Sequence, residues 1–153
     1  MRFSKDFLVI AISGNSCTGK STVAKELGEM LGVQVRHCGE VLKSRALELA
    51  KPVPELSSEV HMSIDAETRA WAADQSALKV VEGIFLEEVL SGLDGILFIR
   101  LVCDTAVRGE RFRARGAASS IAARDKSDEQ LRETLYSGRA PSSLSTSILE
   151  FDT

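Results

Sequence analysis

This chain lacks the features that would direct a reading toward several large functional classes. Its cysteines, Cys17, Cys38 and Cys103, form an odd, widely spaced set with no C-x-x-C pair. That excludes a disulfide frame and a cysteine-built zinc site, and predicts free thiols in a reducing compartment. No apolar run approaches the roughly 18 residues of a membrane-spanning helix, and residues 1–6 are polar and charged, unlike a secretory signal. The expectation is a cytoplasmic protein with no membrane partner. There is no cationic excess either, because the net charge is −3. Affinity for a phosphate backbone needs an extended basic surface, so no nucleic-acid partner is expected. Internal repeats and linker-like stretches are also missing. The 153 residues, 44% apolar and 27% charged, therefore predict one globular domain over 1–153 with a core of its own.

What is present is concentrated near the start. Gly14, Asn15, Ser16, Cys17, Thr18, Gly19, Lys20, Ser21 and Thr22 fit G-x-x-x-x-G-K-[ST], the phosphate-cradling loop. An apolar, β-branched run over 7–12 precedes it and reads as a buried parallel strand. Val23, Leu27, Met30 and Leu31 follow at helical spacing, with Gly32 at the expected C-cap. Gly14 and Gly19 allow backbone conformations that turn successive N–H groups around an anion, and the helix start adds its own N–H groups and dipole. Lys20 can set an ammonium between β- and γ-phosphates, and the Ser21 hydroxyl can take one position on Mg²⁺. The predicted ligand is ATP with Mg²⁺. Cys17, inside the loop, reads either as a small loop residue or as a thiol whose modification blocks nucleotide.

Strand and helix patterns then alternate, the signature of a parallel α/β sheet. Strands are predicted at 7–12, 33–37, 78–83, 95–102 and 147–151. Helices are predicted at 23–31, 39–50, 63–75, 85–90, 104–115 and 125–136, with Asp104 as an N-cap. Pro52 and Pro54 end the second helix. Small residues over 116–120 predict a mobile turn, and 140–145 a loop. The fold class is α/β, a three-layer α/β/α sandwich on a five-stranded parallel sheet with ligands at the carboxyl ends of the strands. Gly14, Gly39, Glu82, Gly83 and Asp104 fall at or just past those ends.

A second cluster is cationic. Arg108, Arg111, Arg113 and Arg115 share one helical segment, and Arg124 and Arg132 flank the next. Planar multi-donor cations beside a phosphate loop stabilise the charge spread over a transferring phosphoryl group. A mobile arginine-bearing segment, about 112–126, would close over the nucleotide as a lid. The competing reading is a solvated helix whose arginines pair with Glu110, Asp125 and Glu129. Glu82 also has two readings: a site carboxylate that orients Mg²⁺ through water or accepts a proton, or a cap for the next segment. Glu40 is either a site carboxylate or part of an ordinary helix start. His37 and His61 carry no catalytic pattern.

Together these residues resemble the P-loop nucleoside monophosphate kinases, cytidylate kinases in particular. The resemblance runs through Ile12-Ser13-Gly14, Gly19-Lys20-Ser21-Thr22-Val23-Ala24, His37-Cys38-Gly39-Glu40-Val41-Leu42-Lys43, Asp104 with Arg108 and Arg111, and Arg124-Asp125 with Asp128 and Arg132, followed by Ala140-Pro141 and the last strand. It covers most of the chain and implies the P-loop kinase fold, with acceptor-binding helices over about 39–76. It also implies roles: Lys20 and the loop on the β/γ-phosphates, Arg111 on the nucleotide, and Arg124 and Arg132 on the transferring group. Glu40, Lys43 and Arg69 would hold the acceptor. Two departures stand out. Lys43 occupies the place of a phosphate-binding arginine, which keeps the charge but loses the bidentate fork. Ile84 stands where the family has an arginine that grips the acceptor's phosphate, and Glu82-Gly83-Ile84-Phe85 is similar to uridine kinase-like enzymes, which phosphorylate nucleosides. These kinases also add a final helix after the fifth strand, so here another element or a partner chain would cover that face, or the chain is a shortened version.

Three functions stay open. The first is ATP-dependent, Mg²⁺-assisted phosphoryl transfer to a nucleoside monophosphate such as CMP. The second is a P-loop kinase of a nucleoside or other hydroxyl metabolite, with Glu40 or Glu82 as base. The third is a nucleotide-binding module without turnover. A monomer is expected, with a dimer as the alternative.

Overall fold

A computed structural model describes residues 7–137 and 148–153. Strand β1 (Val9–Ser13) is buried along its whole length, as its apolar run requires of a strand covered on both faces. It lies at the centre of a five-stranded, all-parallel sheet with β2 (Gln34–His37), β3 (Lys79–Glu82), β4 (Ile96–Val102) and β5 (Ile148–Asp152). The order is β2-β3-β1-β4-β5. The chain therefore leaves β1 in one direction first and the other direction later. This opens a crevice beside Gly14, where the order reverses.

Two apolar clusters fill the layers. Helix α1 (Lys20–Leu31) packs Ala24 against Ile10, Ile12, Val80 and Leu101 on one face. Gly28 lets it sit close, since a Cβ there would lie 2.2 Å from Val35 Cγ2. On the other face, α3 (Ser58–Ala73) and α4 (Leu86–Val89) bring Ala72 and Leu86 onto Val9, Ala11, Val81 and Phe98. Helices α2 (Cys38–Glu48), α5 (Thr105–Ala114) and α6 (Ile121–Tyr136) complete the set. The three-layer α/β/α expectation is met.

Two helices begin earlier than their apolar periodicity predicts, for one reason. The Ser57 side chain accepts from Val60 N and starts α3 at Ser58 rather than 63. The Ser120 hydroxyl accepts from Ala123 N at 3.1 Å and starts α6 at Ile121 rather than 125. A serine cap inside a run of small polar residues outranks the run's loop-like composition. Asp104 caps α5 as expected, accepting from Ala106 N at 2.8 Å. Past Pro52 the chain makes one 3-10 turn, Val53–Glu55.

On β5, Leu149 and Phe151 stand in register with Ile99 and Leu101 and stay 45% and 52% exposed. That strip of sheet is open among the described residues. The three cysteines are free thiols, and no described helix is long and apolar enough to cross a membrane. The predicted loop at 140–145 and the first residue of the predicted last strand, 147, lie outside the described residues.

Candidate active site

The phosphate loop is braced from within. Gly14 has φ +143°, and a Cβ there would meet the Leu101 carbonyl at 2.4 Å, so only glycine fits. Thr18 Oγ1 and Lys20 Nζ both donate to the Asn15 carbonyl, at 2.9 and 2.7 Å. Cys17 sits buried at φ +66°, and Gly19 at φ +93° leads into α1. Burial lowers the Lys20 pKa to about 8, against the pull of Glu82. A buried ammonium with a carbonyl partner suits a polyphosphate, which restores the charge compensation that burial removes.

Ser21 stands one residue on, and its hydroxyl donates to Glu82 Oε1 at 3.1 Å. His37 Nδ1 lies 3.1 Å from the same oxygen, because the parallel register sets His37 beside Glu82. Glu82 is 4% exposed. It does not cap α4, whose N-cap position is Phe85. A hydroxyl and a carboxylate side by side are hard oxygen donors of the kind Mg²⁺ takes, directly or through water. Thr22, the last residue of the motif, is exposed on α1.

Of the arginine cluster, two members hold the loop's outer carbonyls. Arg108 is 3% exposed. It donates Nε to Ser16 O at 2.9 Å and binds both Asp125 oxygens at 3.0 and 2.5 Å. Arg111 donates to Cys17 O at 3.1 Å and to Thr153 O at 3.3 Å. Arg124 grips Asp128 at 2.9 and 3.1 Å, and Asp128 accepts from Ser16 Oγ at 3.2 Å. Arg132 pairs with Glu88 and Glu129 and borders a separate hollow behind the loop, next to Gly14 and Asn15.

A cavity of about 310 Å³ joins the loop to α2 and α3. Lys20, Ser21 and Glu82 form one wall, and Glu40, Lys43, His61, Asp65 and Thr68 form another. Ile84 and Phe85 supply apolar surface between them, and Arg115 at the end of α5 and Arg124 on α6 complete the border. Lys43 is two-thirds exposed and donates to Glu40 at 3.1 Å. Arg69, expected at the acceptor, is not brought there. Its guanidinium donates to the carbonyls of Val89 and Ser91 at 3.1 and 2.7 Å, fastening α3 to the end of α4.

Several site groups escaped the sequence reading. His37 reaches Glu82 only through strand register, which no local pattern encodes. The earlier start of α3 puts His61 and Asp65 one turn apart on a single face, where Tyr136 of α6 donates to Asp65. Burial lowers the His61 pKa. Ser13 and Arg100 both bind Glu87 Oε1, at 2.6 and 2.9 Å, tying α4 to the strand that enters the loop.

The comparisons agree with this geometry. A family model described as an AAA domain matches residues 10–132. A cytidylate kinase of Methanothrix thermoacetophila is 33% identical over 110 residues, 71% of this chain and 63% of that protein. A cytidylate kinase of Pyrococcus horikoshii is 30% identical over 119 residues, 75% of this chain and 61% of that protein. The chain thus spans under two thirds of the curated relatives it matches. Among solved structures, a putative kinase from Chloroflexus aurantiacus superposes with TM-score 0.66 at 22% identity, covering 97% of this chain and 89% of that one. With strand order 2-3-1-4-5 and the loop between β1 and α1, this chain belongs to the AAA domain family and carries the P-loop kinase fold.

Proposed function

We propose that the chain transfers the γ-phosphoryl group of ATP, with Mg²⁺, to a small acceptor held between α2 and α3. The observation that carries this reading is convergence: Lys20, the Ser21–Glu82 pair and Arg124 border one cavity of small-molecule size. Lys20 and the loop N–H groups would hold the β/γ-phosphates. Ser21 and Glu82 would hold Mg²⁺, which neutralises charge shared between β- and γ-oxygens. Arg124 and Arg115, on a lid of about 112–126, would meet the charge that develops on the transferring group. Arg132 would join them only by exchanging Glu88 for the phosphoryl group. Residues of about 39–76 would form the acceptor wall.

The names of the two curated relatives make a nucleoside monophosphate, CMP first, the leading acceptor. A hydroxyl acceptor without phosphate is the second reading. It is favoured by Ile84 in the cavity wall, by the engagement of Arg69 elsewhere, and by the pairing of Lys43 with Glu40. The test is release of ADP from Mg-ATP in the presence of nucleoside monophosphates, nucleosides or hydroxy acids. CMP-dependent release supports the first reading and nucleoside-dependent release the second. ATP binding that no acceptor converts to release leaves a nucleotide-binding module and removes both.

A further inference from the structure

We propose that Asp128 is a built-in stand-in for nucleotide phosphate, docking α6 on the loop and setting nucleotide affinity by competing for the same groups. This rests on the reading of the loop as a polyphosphate site. Ser16 belongs to that loop, and its hydroxyl donates to Asp128 Oδ2. Arg124, which borders the cavity beside Lys20, holds both oxygens of the same carboxylate. The Asp128 side chain is only 18% exposed, and its charge is among those that help Lys20 keep its proton. One carboxylate thus serves a loop hydroxyl, a lid guanidinium and a buried ammonium, three groups that suit a phosphate oxygen.

Asp125 shows what a purely structural carboxylate looks like in the same helix. It binds Arg108, whose Nε holds the Ser16 carbonyl on the outside of the loop. Like Asp128 it lines the hollow behind the loop, but it reaches the loop only through a guanidinium bonded to main chain. Asp128, three residues on and so on a neighbouring face of α6, contacts the loop through a side-chain hydroxyl instead. Glu129, Glu88 and Arg132 lie around it, bordering the hollow behind the loop with Asp128 itself. Two anions cannot share the Ser16–Arg124 corner without a large electrostatic cost. Arrival of polyphosphate therefore drives Asp128 out, and Arg124 exchanges a carboxylate for a phosphate. Nucleotide binds only the fraction of molecules from which Asp128 has withdrawn, so its apparent affinity is lowered by that fraction.

The experiment is calorimetric titration of the whole chain with inorganic tripolyphosphate and, separately, adenosine, at low and high salt. Asp128→Asn keeps the shape and the acceptor oxygen for Ser16 but removes the charge. It is expected to bind tripolyphosphate about five-fold tighter at low salt. The gain should shrink in high salt and be missing for adenosine. Asp128→Glu, which keeps the charge, should stay within about two-fold of the parent. Equal or weaker tripolyphosphate binding by Asp128→Asn overturns the proposal. So does a parallel fall in melting temperature and affinity, which is what a scaffold residue would give. Lys20→Ala separates the two levels. If it abolishes tripolyphosphate binding while Asp128→Asn changes nothing, only the stand-in role fails. If the parent chain itself binds no tripolyphosphate, the phosphate-site reading fails as well.

Discussion

Around the phosphate loop, cations are bonded to main chain: buried Lys20 to the Asn15 carbonyl on the cavity side, and, on the outside, buried Arg108 to that of Ser16 and half-buried Arg111 to that of Cys17. On the α2–α3 wall the lysine is exposed and tied to a glutamate, and the less exposed polar groups are His61, Asp65 and Thr68. The first wall owes its geometry to backbone, so its charges are fixed in place ahead of any anion. The second owes its character to side chains on two helices. It can change partner by substitution without disturbing the loop, which is how one fold comes to serve different acceptors.

Removing the ammonium attacks the first wall most directly. Lys20→Met should lower kcat/KM at least about 100-fold, measured as acceptor-dependent ADP release. The same change should raise stability by about 1–3 kcal/mol at pH 7, read by denaturant titration, because a buried charge is gone. The sign follows from the Lys20 pKa, about 8 in the folded chain against 10.5 unfolded. The burial cost is full below pH 8, so the gain is full there and fades as pH climbs to 10.5. A Lys20→Met chain that is less stable than the parent at pH 7 would contradict this.

Glu82→Gln comes next in size, with kcat falling about 10- to 100-fold and the Mg²⁺ concentration for half-maximal rate rising. An unchanged Mg²⁺ requirement would return Glu82 to a structural role. The pH profile tests the same wall without mutation. If nucleotide binds the protonated lysine, affinity should fall about fivefold between pH 8 and pH 9, with proton uptake visible by calorimetry in two buffers. Flat affinity across that range would mean the ammonium is not at the phosphates.

The second wall should respond more mildly. Ile84→Arg places a guanidinium where the cavity is apolar, and should improve kcat/KM for phosphorylated acceptors over their dephosphorylated forms about three- to tenfold. Lys43→Ala should change the acceptor KM by about two-fold at most, since its charge is exposed and already paired. A large loss with a nucleoside monophosphate would show instead that Lys43 leaves Glu40 to grip the acceptor's phosphate.

The sequence made the phosphate loop itself legible because the residues of its motif are local. Gly14, Gly19, Lys20 and Ser21 act within a few residues of one another, between a strand and a helix whose periodicities are plain. What surrounds the loop is assembled from distant pieces. His37 meets Glu82 through parallel register, and Arg69 is consumed by carbonyls twenty residues away. Even the position of Asp65 on its helix depended on whether Ser57 or a later residue supplied the cap. Composition gave the five strands and six helices, while single hydroxyl groups moved the starts of α3 and α6.

Trp71, the chain's single tryptophan, sits on α3 with Lys79 Nζ 4.6 Å from its ring centroid and donating to its own carbonyl at 2.6 Å. Lys79 begins the strand that Glu82 ends, and His61 and Asp65 lie earlier on the same helix. The indole therefore spans the joint between α3 and the sheet, with a cation over its face that quenches or shifts emission as the separation changes. The molecule thus carries its own fluorophore at the seam between α3 and the sheet, where any movement of that helix can be read.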